Sequence, residues 1–66
     1  MRIHTNGEPR EYPAKLTLDA LVATLTTAPR GVAAAVNETV VPRAHWSTTT
    51  LRSGDRVEIL TAVQGG

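Results

Sequence analysis

One stretch of helical periodicity lies among segments that alternate apolar and polar residues as β-strands do. Four apolar side chains recur at i, i+3, i+4 and i+7, the spacing that lines one face of a helix. They are Leu18, Leu21, Val22 and Leu25. We expect the Thr17 hydroxyl to cap this helix by accepting a bond from a backbone N–H, and Asp19 to suit the positive end of the helix dipole. Pro29 and Gly31 are predicted to end the helix.

Five segments have the alternation or composition of strands, and turn residues separate them. They cover residues 1–5, 10–12, 31–37, 39–41 and 56–61, with further turns at 37–38 and 53–55. Asn6-Gly7 predicts a tight hairpin, and Pro9 and Pro13 confine the second strand to an edge of the sheet. One helix across one face of a four- to five-stranded mixed sheet buries these apolar faces most economically. The sequence therefore predicts an α+β fold of the β-grasp, ubiquitin-like type.

The third predicted strand and the loop after the fourth carry further expectations. Val32, Ala34 and Val36 share one face and alternate with Ala33 and Ala35, which predicts a central strand whose second face is also covered or at least crowded. Pro42 is predicted to end pairing before an irregular stretch that contains Arg43 and Trp46. We expect the Trp46 ring to cover one end of the core.

Composition limits both the core and the partners. The 66 residues include no phenylalanine and no cysteine, so the core must be small and aliphatic, and no disulfide stabilises it. Seven basic and six acidic residues are interspersed, which argues against nucleic acid or an anionic membrane as a partner. No apolar run approaches the ~20 residues of a membrane span, and the N-terminus lacks the regions of a signal peptide. We therefore expect a cytoplasmic protein.

Side chains that catalyse reactions are present but not grouped. His4 and His45 lie far apart in sequence, with no cysteine or spaced carboxylates near them to complete a metal site. The hydroxyls of residues 47–50 have no identifiable base. No glycine-rich phosphate loop is present. We expect a protein that is not itself an enzyme and binds no metal or cofactor.

The C-terminal segment is the unusual feature of the sequence. After the last strand the chain runs Ala62, Val63, Gln64, Gly65 and Gly66. Two glycines form a thin, adaptable thread that can enter a narrow cleft and leave a terminal carboxylate open to attack. We predict a β-grasp domain over residues 1–61 and a flexible tail over 62–66. An interaction module with an inert tail is the alternative.

Three stretches give the chain its resemblance to a known family. They are residues 1–7, the segment holding Val36-Asn37, Val41-Pro42-Arg43 and Trp46, and residues 53–59 leading to Gly65-Gly66. Over essentially its full length the chain resembles the ThiS family, the sulfur carriers of thiamin thiazole biosynthesis. The middle stretch, similar to the family's A-x-N-x-x-x-V-P-R-x-x-W segment, is the most specific. Gln64 departs from the pattern, since many members have a third glycine or an alanine there.

The resemblance implies a protein co-substrate whose working group is the carboxylate of Gly66. A partner adenylyltransferase of the ThiF type, using ATP and Mg²⁺, would activate it for conversion to a thiocarboxylate. A cysteine desulfurase or another donor would supply the sulfur, and a thiazole synthase of the ThiG type would consume it. Gly65 would give the tail its flexibility and its access to the partner's cleft.

The partner-binding residues are predicted from the last strand and the tail. Strict alternation puts Val57 and Ile59 in the core and leaves Leu60 exposed beside the tail. The predicted contact set is Leu60, Ala62, Val63 and Gln64. Other β-grasp roles remain open: the small subunit of molybdopterin synthase, a donor for tRNA thiolation, or a protein modifier.

Overall fold

The computed structural model describes residues 1–26 and 31–61, in which one α-helix packs across one face of a five-stranded mixed sheet. The elements are β1 Arg2–Thr5, β2 Glu8–Glu11, α1 Leu18–Leu25, β3 Val32–Val36, β4 Thr39–Val41, a 3-10 helix Arg43–Thr48 and β5 Arg56–Thr61. The strands lie in the order β2-β1-β5-β3-β4. β5 pairs parallel with β1 and antiparallel with β3. The predicted β-grasp arrangement is therefore confirmed, with β2 on an edge.

β5 is the middle strand of the sheet, and β3 lies beside it as an interior strand, so the prediction that β3 is not an edge strand is confirmed. β3 takes β4 as one neighbour through a two-residue turn, and its other neighbour is the last strand of the chain. Only β5 joins the two hairpins, because it pairs with the first strand of each. The middle position of β5 depends on pairing between segments far apart in the chain, which local composition does not reveal.

Two turns adopt backbone conformations that their sequences favour. Asn6 and Gly7 have φ values of 51° and 82°, and Asn37 and Glu38 have 51° and 70°. Positive φ at both central residues fits the twist of a two-residue hairpin. The predicted Asn6-Gly7 hairpin is confirmed.

The side chains of both turn asparagines, Asn6 and Asn37, form hydrogen bonds that hold β5 in place. The Asn6 side-chain carbonyl accepts the Ile59 N–H at 2.8 Å, beyond the point where β1 ends. The Asn37 carbonyl accepts the Arg56 N–H at 3.0 Å, and its amide donates to the Asp55 carboxylate at 3.0 Å. The central strand is thus held at its start and near its middle by residues that also shape the turns.

The core lies between α1 and the inner face of the sheet. Its buried apolar residues are Ile3, Leu18, Leu21, Val22, Ala34, Trp46, Leu51, Val57 and Ile59. Trp46 is buried and its indole N–H donates to the Val41 carbonyl at 2.8 Å, so its predicted place in the core is confirmed. The helical face is also confirmed, except that Leu25 at its C-terminal end is exposed.

Two local expectations were wrong. Thr17 is the N-cap residue, but its hydroxyl donates to the Asp19 carboxylate and makes no capping bond. The hydroxyl is oriented to donate to this charged acceptor and accepts no bond from the N–H groups of the first turn. The Leu18 N–H instead donates to the Thr49 carbonyl. The stretch after Pro42 is a 3-10 helix and not irregular, because burial of Trp46 draws this segment onto the core.

The outer face of β3 is uncovered within the described part of the chain, contrary to the prediction. Ala33 is exposed and Ala35 half-buried, while α1 packs on the opposite face of the sheet. The helix ends at Leu25, where the Thr26 N–H donates to the Val22 carbonyl. Pro29, one of its two predicted terminators, lies outside the described residues.

Candidate functional site

The predicted working groups follow β5 in the sequence. Gly66 and Gly65, and the contact residues Ala62, Val63 and Gln64, lie outside the described residues. Leu60 is described, and it is 70% exposed while its neighbour Ile59 on the same strand is 7% exposed. The alternation predicted for β5 is therefore confirmed, and it presents a large apolar side chain two residues before Ala62.

Leu60 belongs to a larger apolar surface on the outer face of the sheet. Its register partner on β3 is Ala33, and Ala35 on the same strand is opposite Val40 of β4. Val40 is 72% exposed. Together with Glu58 these residues line a shallow depression of about 120 Å³. We call Ala33, Ala35, Val40 and Leu60 the apolar patch.

Of this patch, only Leu60 is predictable from the sequence. Val40 is flanked by Thr39 and Val41 in a strand of three residues, too short for alternation to identify its exposed face. Its place on the patch depends on its pairing with Ala35, which the sequence alone does not reveal.

Charged side chains occupy the other half of the same outer face. The guanidinium of Arg2 donates to the Glu11 carboxylate at 2.8 Å between β1 and β2. That hydrogen bond from Arg2 holds the pKa of Glu11 below its usual value. His4 is opposite Arg56 in the parallel β1–β5 pair, and both are exposed. The outer face therefore carries charges over β1, β2 and the first half of β5, where Arg56 and Glu58 lie, and apolar side chains on β3, β4 and at Leu60.

The hydroxyl and imidazole groups form no catalytic arrangement among residues 1–26 and 31–61. The Thr48 and Thr49 hydroxyls both donate to the His45 carbonyl, at 3.1 and 2.7 Å. His4 lies on a strand of the outer face, whereas His45 lies in the 3-10 helix. No group of three metal-ligating side chains occurs in the described part of the chain, and no helix there is long and apolar enough to cross a membrane.

Comparison with known proteins decides the family. A sequence model of the ThiS family matches residues 3–66. The chain belongs to the ThiS family. It is 29% identical to the sulfur carrier protein ThiS of Escherichia coli over the full length of both chains. The crystal structure of the thiamine biosynthesis protein ThiS of Geobacter metallireducens superposes with a TM-score of 0.82, at 30% identity and full coverage of both chains.

A second group of relatives is much longer than this ThiS-family chain. This chain is 38% identical to a thiazole synthase of Magnetococcus marinus and 33% identical to one of Paramagnetospirillum magneticum, over all 66 residues. The chain spans only 20% of the length of each. The family resemblance and the β-grasp fold read from the sequence are both confirmed by these comparisons.

Proposed function

We propose that this chain, when it ends at Gly66, carries sulfur for thiamin thiazole synthesis as a thiocarboxylate on that residue. The observation that carries the proposal is the match over full length to a relative named as the sulfur carrier protein ThiS, together with the Gly65-Gly66 ending of the matched region. The relatives named thiazole synthase favour this branch over molybdopterin synthesis, tRNA thiolation or protein modification.

The chemistry requires activation by another protein. A free α-carboxyl has a pKa of about 3.3–3.7, so at neutral pH Gly66 ends in a carboxylate, which is a poor electrophile. Attack of this carboxylate on ATP, with loss of pyrophosphate, gives an acyl-adenylate with AMP as a good leaving group. Hydrosulfide then displaces AMP and leaves the thiocarboxylate. An adenylating enzyme of the ThiF type would bind the ATP and Mg²⁺, with a cysteine desulfurase or similar donor as the source of sulfur.

The division of labour within the chain follows from this chemistry. The domain of residues 1–61 would serve for recognition, and residues 62–66 would enter the partner's cleft. The two terminal glycines present no Cβ to a narrow channel. No side chain of the carrier needs to take part in the reaction, so we propose a co-substrate and not a catalyst.

We assign the apolar patch to the adenylating enzyme. Leu60 and Val40 are mostly exposed and line the same depression, and Leu60 is next to Thr61, the last described residue before the tail. Exposed apolar side chains that cluster in this way mark an interaction surface. Contacts from Ala62, Val63 and Gln64 would continue this surface along the tail toward the bound ATP.

Intact-mass analysis tests the proposal. The chain, prepared to end at Gly66, is incubated with its adenylating partner, ATP, Mg²⁺ and sulfide, with a reaction lacking ATP as control. We expect the mass to rise by the difference between one sulfur and one oxygen atom, and fragmentation to locate the change at Gly66. Sulfur on any other residue, or no ATP-dependent change with an active partner, would contradict the carrier function.

A further inference from the structure

Primary amines are scarce in this chain. Lys15 is the only lysine, and the six other basic residues are arginines. The second primary amine is the Met1 ammonium, which donates to the Tyr12 carbonyl. An activated carbonyl at Gly66 reacts with any free amine that reaches it, so the positions of these two amines decide whether the chain can acylate itself.

An amine competes with sulfur for the activated carbonyl. Its nitrogen attacks the Gly66 carbonyl carbon, AMP leaves with the electron pair of the broken C–O bond, and the nitrogen loses a proton. The product is an amide that closes the chain into a loop and carries no sulfur. A lysine amine is a nucleophile of this kind. An arginine guanidinium is not, because it stays protonated in proteins.

The Met1 amine lies at the end of the sheet where β5 begins. β1 and β5 are parallel, with His4 opposite Arg56, the first residue of β5. The Arg2 carbonyl accepts the N–H of Gly54, which comes two residues before β5. Met1 is one residue earlier still.

The Lys15 amine is at the same end of the sheet. The Tyr12 N–H donates to the Met1 carbonyl, and Lys15 follows three residues later on an exposed stretch. The next residue, Leu16, accepts the N–H of Leu51 through its carbonyl. Leu51 in turn precedes the turn that leads into β5. Hydrogen bonds on both sides of Lys15 therefore place it near the beginning of β5 and away from its end.

The tail continues from the opposite end of β5. From Thr61 back to the level of Arg2 is about seven residues of strand, or about 23 Å. Five residues span at most about 18 Å when fully extended. The tail of residues 62–66 is therefore too short to bring Gly66 to the level of Arg2, even if it doubled back along β5.

An arginine lies at the end of the sheet from which the tail continues. Val41 of β4 and Ile59 of β5 are both opposite Ala34, so they lie at the same level. Two residues further along come Arg43 and Thr61. One strand separates β4 from β5, which puts the two about 10 Å apart, within the span of the tail. The Arg43 side chain is exposed and has no hydrogen bond or ion pair within the described part of the chain.

We propose that this distribution of basic residues prevents the activated carrier from acylating itself and leaves the Gly66 carbonyl available to sulfur. The inference rests on the proposed function. Arg43 supplies positive charge near the tail without a nucleophile, and the two primary amines, of Met1 and Lys15, lie at the far end of the domain. The fold thus contributes to the chemical selectivity of the carrier, in addition to the partner enzymes.

A C-terminal thioester tests the inference without either partner enzyme. The chain is prepared with Gly66 joined to a small thiol, which an attacking amine displaces. Arg43→Lys keeps the positive charge and adds an amine near the tail. The matched control is Arg52→Lys, because Arg52 is exposed in the segment before β5.

The two variants should differ in the rate of loop closure. A short flexible connection gives an effective concentration of millimolar order, about a hundredfold above a protein at about 10 μM. Arg43→Lys should therefore form the intramolecular amide at least about tenfold faster than Arg52→Lys or the wild-type chain. The looped amide is lighter than the hydrolysed chain by one water, and proteolysis followed by mass analysis locates the new bond.

Unfolding provides a second, independent measurement on the wild-type chain. In urea the fold no longer separates Lys15 from the tail, so the wild-type thioester should form an intramolecular amide at Lys15 that the folded chain does not form. Equal rates for Arg43→Lys and Arg52→Lys, or a concentration-independent amide at Lys15 or Met1 in the folded wild-type chain, would overturn the inference. Failure of the sulfur-carrier function would show itself separately, as the absence of thiocarboxylate on the wild-type chain after incubation with an active adenylating enzyme.

Discussion

Two neighbouring residues of β5 should respond in opposite ways to substitution. Ile59 is 7% exposed and Leu60 70% exposed. Truncating a buried isoleucine to alanine costs about 2–5 kcal/mol. At about 0.05–0.15 kcal/mol per residue, the whole free energy of unfolding of 66 residues is about 3–10 kcal/mol. Ile59→Ala should therefore remove a large part of the stability.

Leu60→Asp should leave the fold nearly intact. Full burial of a leucine contributes about 1.5–3 kcal/mol, and folding hides only about three tenths of this side chain, so its loss costs about 1 kcal/mol or less. The carboxylate would instead lie on the β5 side of the apolar patch, where docking of a partner must remove its water. We expect binding of the adenylating enzyme to fall by at least about tenfold, since burying an unpaired charge costs well over 1.4 kcal/mol.

Urea denaturation and calorimetric titration with the adenylating enzyme measure the two effects separately. The denaturation midpoint should fall strongly for Ile59→Ala and barely for Leu60→Asp. Binding by the folded fraction should show the opposite order. If Leu60→Asp destabilised the chain as much as Ile59→Ala while its folded fraction bound normally, Leu60 would be a core residue and the alternation argument would be refuted.

Three further predictions concern the fold. Asn6→Gly keeps the positive φ of the turn but removes the acceptor of the Ile59 N–H, so the Ile59 amide should exchange with solvent faster. Asn6→Asp keeps an acceptor and should keep the Ile59 amide protected. Equal exchange of this amide in the two variants would contradict the role of the side chain. Trp46→Ala should cost about 3–5 kcal/mol, comparable with the total stability, and a native-like urea midpoint would show that the ring is dispensable. Because Arg2 lowers the pKa of Glu11, this carboxylate contributes stability above its unfolded value of 4.5 and loses it as the pH falls through the lower folded value. Glu11→Gln should remove that dependence, and an unshifted NMR titration of Glu11 would disprove it.

Local patterns predicted the elements whose structure is set locally. The apolar spacing from Leu18 to Val22 identified the buried face of α1, and the alternation around Ile59 identified both faces of β5. The Asn6-Gly7 turn followed from the backbone preferences of two residues. The order of the strands could not be predicted from local preferences, because it depends on pairing between segments far apart in the chain, such as Thr5 with Val57.

The candidate surfaces were predictable only in part for the same reason. Leu60 could be assigned from its own strand, but the rest of the apolar patch requires β3, β4 and β5 to lie side by side. The cavity between α1 and the 3-10 helix requires Asp19 and Arg43, 24 positions apart in the sequence, to face the same space. The identity of Arg43 was visible in the Val-Pro-Arg-x-x-Trp segment, but its lack of a partner among the described residues was not.

The most direct test of the account is to extend the chain beyond Gly66. A C-terminal tag converts the Gly66 carboxylate into an amide, which cannot be adenylated, and it removes none of the buried contacts of residues 1–26 and 31–61. The matched control is an N-terminal tag. It needs a linker, because the Met1 ammonium donates to the Tyr12 carbonyl at 2.6 Å. We predict an unchanged urea midpoint, no thiocarboxylate by mass, and no thiazole formation with the reconstituted enzymes. Thiazole formation at the normal rate by a C-terminally tagged chain, shown by mass to be uncleaved, would contradict the claim that Gly66 carries the sulfur.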